Sequence, residues 1–149
     1  MKGDRKDLAA GILYTDGKRI LLLKRAGDCS GNGTWCIPGG HAVHGETPRQ
    51  TAERESREEC GAEGGKAFES HIDDSGKPVF HTFLKEVHRP FPCMLSDEHS
   101  DYQWVEFGDV NDKELLPRFS NQWPYLLNKI KSHMMLGTRF SEWIKNIRS

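Results

Sequence analysis

The sequence predicts an α/β domain with a mixed β-sheet and helices on both of its faces. Three observations point there. Ile20-Leu21-Leu22-Leu23 is apolar without alternation, the pattern of a strand covered on both sides. The stretch from Thr47 to Gly61 carries the start and stop signals of a helix. Trp123, Leu126, Leu127 and Ile130 recur at helical spacing further along the chain.

Taken in order, Leu8 to Tyr14 reads as a strand. Asp16-Gly17 is a hairpin turn signal, and Arg19 to Lys24 returns as the second strand. Cys29 to Thr34 reads as a glycine-containing loop, and Trp35-Cys36-Ile37-Pro38 leads into Gly39-Gly40. From Gly39 to Gly45 the chain holds three glycines and two histidines and reads as a loop. Such a loop lets backbone groups come close to an anion or a metal.

The next helix has defined ends. Thr47 is the N-cap, Pro48 fits the first helical position, and Gln50 completes a capping box. Gly61 follows the last turn, where a left-handed residue ends a helix. One face presents Ala52, Ser56 and Cys60, which are small enough for close contact with a sheet. Ala67 to Ile72 and Val79 to Val87 read as two strands across an Asp73-Asp74-Ser75-Gly76 turn. Met94 to Ser100 reads as a polar loop, and Tyr102 to Phe107 as a strand with Trp104 buried. Two helices follow. The second is expected after Gly137, with Phe140, Trp143, Ile144 and Ile147 on one apolar stripe.

The bulk properties narrow the function. The 149 residues suit one domain, read here as 1–149 with a helical extension from about 135. A net charge of −1 gives no global field to select nucleic acid or a membrane surface. The four cysteines form no Cys-x-x-Cys pair and no evident disulfide framework, which suits a reducing compartment. The N-terminus is too charged, and its apolar run too short, for a signal peptide. A cytoplasmic location is expected. The C-terminal stripe needs a cover, which is the domain's own surface, a second subunit or a membrane surface. The short helix and near-zero net charge speak against the membrane, so a homodimer is open.

The chemistry lies in Arg54-Glu55-Ser56-Arg57-Glu58-Glu59. Glu55, Glu58 and Glu59 are spaced by three and four and share a helical face. Their mutual repulsion weakens an isolated helix, and a cation among them reverses that cost. A cluster of hard oxygen ligands suits Mg²⁺ or Mn²⁺.

Gly40, Glu46, Arg54, Glu55, Glu58, Glu59 and Gly61 stand at the fixed positions of the Nudix box, and this stretch resembles the Nudix hydrolases. Each position matches by chance in roughly one case in twenty from average residue usage, so joint agreement is no accident. Ser56 departs from the pattern, which has an aliphatic there, and Ala62 fills the last aliphatic slot weakly. Leu or Val at position 56 is therefore expected to be tolerated.

The resemblance implies an α/β/α sandwich with a mixed sheet over roughly Leu8 to Lys131. It also implies hydrolysis of the pyrophosphate link in nucleoside diphosphate derivatives. By the same resemblance Glu55, Glu58, Glu59 and the Gly40 carbonyl are metal ligands, and Arg54 orients a carboxylate. Glu46 either supports the loop or joins the metal. Glu98 is expected to complete the catalytic set, with Asp97 and Asp101 as alternatives. Arg25, Gly39, Gly40 and His41 are expected at the substrate, with His44 a weaker candidate, and Phe80 or Phe83 as a base-stacking ring.

The sequence GTWCIPGGH is similar to members acting on nucleoside triphosphates, so (d)NTP-type substrates are expected. ADP-ribose or a nucleotide sugar is the alternative. Pro78 hints at ADP-ribose, but a proline beside a Ser-Gly turn needs no such explanation. A Nudix-fold binding module without activity is the remaining reading, and the presence of all three acids favours the enzyme.

Overall fold

The computed structural model describes residues 4–27, 31–62 and 67–148, and the side chains of these except 4, 68, 69 and 135–148. Seven strands form one mixed sheet. They are β1 (Asp4–Thr15), β2 (Arg19–Arg25), β3 (Trp35–Cys36), β4 (Gly39–Val43), β5 (Phe68–Asp73), β6 (Val79–Glu86) and β7 (His99–Glu106). The helices are α1 (Pro48–Cys60) and α2 (Pro117–Arg148), with a 3₁₀ turn over Phe107–Asp112. The central path runs β3-β2-β1-β6-β5, with β4 also pairing β1 and β7 also pairing β2. The β1–β6 pair is parallel and the others are antiparallel.

Alternation along the central strands creates two cores. Leu13, Ile20 and Leu22 point to one side, where Phe119, Trp123, Leu126 and Ile130 of α2 cover them. Ile12, Tyr14, Leu21 and Leu23 point to the other, where Ala52 and Cys60 of α1 lie. Residues 20 to 23 are fully buried, as a strand covered on both faces requires. This is the α/β/α sandwich.

Several local expectations are corrected. Gly39–Val43 is a strand, not a loop. Its partner β1 lies some thirty residues upstream, and the two glycines allow a backbone approach that hydrophobic pattern cannot reveal. A methyl group at Gly39 would stand 2.7 Å from the Ala10 carbonyl oxygen and 2.8 Å from the Gly11 Cα. Strand β7 begins at His99, earlier than its apolar residues suggest. Trp104 is half-buried, with its indole N–H donated to the Phe91 carbonyl at 3.0 Å. The helix expected to break at Gly137 continues through it as α2, because a lone interior glycine costs only about 1 kcal/mol. The stripe of Phe140, Trp143, Ile144 and Ile147 lies outside the described side chains. Among the described residues no helix is long and apolar enough to cross a membrane.

Helix α1 has the predicted caps. The Gln50 N–H donates to Thr47 Oγ1 at 3.1 Å, and the Thr47 N–H donates to Gln50 Oε1 at 3.0 Å. Gly61 is left-handed, with φ of 68°, and its N–H reaches the Arg57 carbonyl at 3.0 Å.

The departure at Ser56 has a structural partner. Ser56 is buried, and its hydroxyl shares a hydrogen bond with the buried Tyr14 hydroxyl of β1. The expectation that a larger aliphatic is tolerated here is therefore withdrawn. Leu at position 56 would orphan the phenol and collide with β1. Ser56→Ala alone should cost about 1–3 kcal/mol through the unpaired Tyr14 hydroxyl. Adding Tyr14→Phe should recover most of that loss. Urea unfolding of the single and double variants measures both, and a Ser56→Leu protein as stable as the parent would contradict the account.

Candidate active site

Helix geometry divides the three acids. At about 100° per residue, Glu59 lies about 40° from Glu55 around the axis, while Glu58 lies about 60° the other way. Glu59 is only 3% exposed and faces the sheet. The Glu55 side chain is mostly covered, and the Glu58 side chain is 58% exposed.

Strand β4 meets the buried pair through its glycines. The Gly39 N–H donates to Glu59 Oε2 at 2.9 Å. At Gly40 a methyl group would stand 2.6 Å from the Glu55 carboxyl carbon and within 2.8 Å of both its oxygens. The absence of a side chain at position 40 is what makes room for that carboxylate.

Arg54 ties the acidic face to the preceding segment. Its Nη1 reaches Glu55 at 2.9 Å and Glu58 at 3.0 Å. Its Nη2 donates to the His41 carbonyl at 3.0 Å and to Glu46 Oε1 at 3.1 Å, and its Nε donates to Glu46 Oε2 at 2.7 Å. Glu46 also accepts from the Val43 N–H at 2.9 Å and the Thr51 hydroxyl at 3.0 Å. The hydrogen bonds from Arg54 hold the Glu46 carboxyl down near about 2. Of the two readings of Glu46, this geometry matches support of the β4–α1 connection.

Burial pushes the carboxyls of both Glu55 and Glu59 above the usual range. For Glu59 the charge of Glu55 adds to the rise, against the Gly39 N–H. This is a buried acidic pair short of positive charge.

The pair lines a cavity of about 540 Å³. Gly39, Gly40, His41, Arg25 and Glu98 line it too. Phe80 lies in its wall, whereas Phe83 is buried against α1 beneath Arg49 and cannot stack on a ligand there. Glu58, His44, Asp97 and Asp101 are not part of the wall. Glu98 has an exposed side chain, and its carbonyl accepts the Ala26 N–H at 2.9 Å.

Sequence reading missed the far wall. Helix α2 contributes Arg118, Phe119, Gln122 and Leu126 to the cavity. Arg118 Nε donates to the buried Asp73 at 2.6 Å, tying α2 to β5 across 45 positions in sequence. No local signal marks such a contact. His99 is buried beside Glu98, and a ring nitrogen of His99 falls within 4.8 Å of oxygens from Glu59 and Glu98. Burial and the nearby Arg25 charge lower the His99 imidazole to about 4, so it is neutral near pH 7.

Comparison with known proteins agrees with the fold and the acidic helix. Residues 5–126 match the NUDIX domain family, and the chain belongs to the Nudix hydrolase family. The nucleoside triphosphate pyrophosphatase/Nudix hydrolase fusion protein of Bifidobacterium longum is 34% identical over 128 residues, covering 78% of this chain and 27% of that protein. The putative 8-oxo-dGTP diphosphatase 3 of Mycobacterium tuberculosis is 32% identical over 132 residues, covering 79% of this chain and 60% of that protein. The chain thus spans less than two thirds of either relative. The crystal structure of RenU, a Nudix hydrolase from M. smegmatis, matches with a TM-score of 0.72 at 23% identity, covering 85% of this chain and 87% of that one.

Gly40→Ala tests whether the missing side chain serves the carboxylates. The variant should keep its fold by circular dichroism, because its methyl meets a side-chain end. Displacement of Glu55 should weaken Mn²⁺ binding by ~10-fold or more, read by titration against the parent. Unchanged affinity would mean that Glu55 is not held in place for a cation.

Proposed function

We propose that this chain is a divalent-metal-dependent pyrophosphohydrolase acting on nucleoside triphosphate-type substrates. The observation that carries the reading is the buried Glu55–Glu59 pair in the wall of a nucleotide-sized cavity. Two carboxylates beside a polyanionic substrate are repulsive unless a cation stands between them.

The residues present fit such an ion. Their oxygens are hard donors, burial has raised both carboxyls, and Arg54 contacts Glu55 but not Glu59. Glu55, Glu59, Glu98 and the Gly40 carbonyl would hold Mg²⁺ or Mn²⁺, with Glu58 joining from the solvent side. The bound ion supplies charge neutralisation, Lewis acidity and a lowered pKa for attacking water.

The chain's own groups do the rest. Arg54 fixes the Glu55 carboxylate, and the Gly39 N–H fixes that of Glu59. Arg25 meets a phosphate oxygen of the substrate from the end of β2, and His41 approaches the phosphates from β4. Glu98 takes a proton from the attacking water. Phe80 stacks on the base, and the apolar side chains of Phe119, Leu116 and Leu126 exclude water from the ring. The names of the two relatives support a triphosphate substrate. ADP-ribose and nucleotide sugars form the second arm of the test.

A panel of nucleoside triphosphates, ADP-ribose and nucleotide sugars, assayed with Mg²⁺ and with chelator, should give metal-dependent cleavage of the triphosphates. Glu59→Gln should lower kcat by at least ~100-fold with the fold intact, since metal contributes several kcal/mol to the transition state. Glu98→Gln should slow turnover clearly more than Asp101→Asn, whose side chain lies outside the cavity. Equal rates for these two variants would remove Glu98 from the chemistry.

A further inference from the structure

We propose that His99 is a nitrogen ligand of the divalent site, joining Glu59 and Glu98, and that it biases this site toward Mn²⁺ or Co²⁺ over Mg²⁺. The proposal rests on the reading that the acidic cavity binds a divalent ion.

The backbone places His99 there. Along the β2–β7 pair, Lys24 stands opposite Asp101 but Arg25 stands opposite His99, so one residue of β7 is extra at this point. A slip of one residue exchanges the faces of a strand. His99 therefore shares a face with Arg25, while Asp101 projects with Lys24 on the other. Without the irregularity, His99 would lie on the face that carries Lys24 and Asp101.

The side chain then presents an unsolved polar atom. His99 is 6% exposed, and its Nδ1 is enclosed with no hydrogen-bond partner. Among the described residues it is the one buried side-chain nitrogen or oxygen in that condition. An enclosed polar atom without a partner is costly and calls for a cause. A ring nitrogen of His99 and carboxylate oxygens of Glu59 and Glu98 all lie within 4.8 Å of one another. That spacing needs only a small contraction to surround one ion. The three donors come from the end of α1, the turn before β7 and the first residue of β7.

The donor set determines the preference. Magnesium favours oxygen and retains water, whereas imidazole suits transition ions. Two carboxylates with one imidazole hold either ion, but the nitrogen contributes more to Mn²⁺ or Co²⁺.

The test is electron spin-echo spectroscopy of the full chain loaded with Mn²⁺, combined with Mn²⁺ and Mg²⁺ titrations. The parent should show ¹⁴N modulation, and ¹⁵N-histidine labelling should replace it with the ¹⁵N pattern. His41→Gln, altering the histidine that lines this cavity, should leave the signal in place. His99→Gln should abolish the signal and weaken Mn²⁺ binding by ~10-fold or more, with a smaller change for Mg²⁺. The labelling of the parent needs no variant, so it decides even if His99→Gln fails to fold. Tight Mn²⁺ binding without a histidine signal, or a signal that survives His99→Gln, overturns the role of His99 and leaves the hydrolase reading intact. Failure to bind Mn²⁺ or Mg²⁺ at all overturns both.

Discussion

Two carboxylates are forced together on one turn of a helix and turned toward a sheet, away from water. Most of the surrounding structure follows from holding Glu55 and Glu59 there. The sheet must come close, so β4 offers glycine at 39 and 40, and Gly11 of β1 lies against Gly39. The helix must lie flat, so its inner face is Ala52, Ser56 and Cys60. Its ends must be fixed, so Thr47 and Gln50 close one end and left-handed Gly61 the other. None of these features relieves the repulsion between the acids.

Relief is partial and comes from one guanidinium. Arg54 bridges Glu46, Glu55 and Glu58, and so fastens the acidic face to the segment that precedes it. It also shows why exposed and covered charges differ here. A surface ion pair is worth little, but this one is mostly covered and has several partners. The Glu59 carboxylate instead accepts the Gly39 N–H. The deficit of positive charge is therefore concentrated at Glu59, which is also where Glu98 and His99 converge.

The parts of this arrangement that depend on neighbours in sequence are legible from it. Caps, the acidic spacing and the fully buried Ile20–Leu23 run are local patterns, and the structure reproduces each. The parts that depend on distant partners are not. The strand at Gly39–Val43 is defined by pairing with β1, and glycines hide it from hydrophobic pattern. Ser56 reads as a weak packing residue until its partner Tyr14, 42 positions away, is known. Arg118 and Gln122 reach the cavity through the docking of α2, and His99 through an irregular strand register. Gly137 misleads for the opposite reason, because a local break signal yields to the helix on both sides of it.

If the acidic pair is built for a cation, a cation should stabilise the folded chain beyond any general salt effect. Ligand bound only to the folded state raises the melting temperature in proportion to the logarithm of its concentration above Kd. The direct measurement is thermal melting in increasing MgCl₂ or MnCl₂, with NaCl matched for ionic strength as control. The account predicts a rise with divalent ion that NaCl does not reproduce and that Glu59→Gln largely removes. Equal curves in divalent salt and matched NaCl would contradict it.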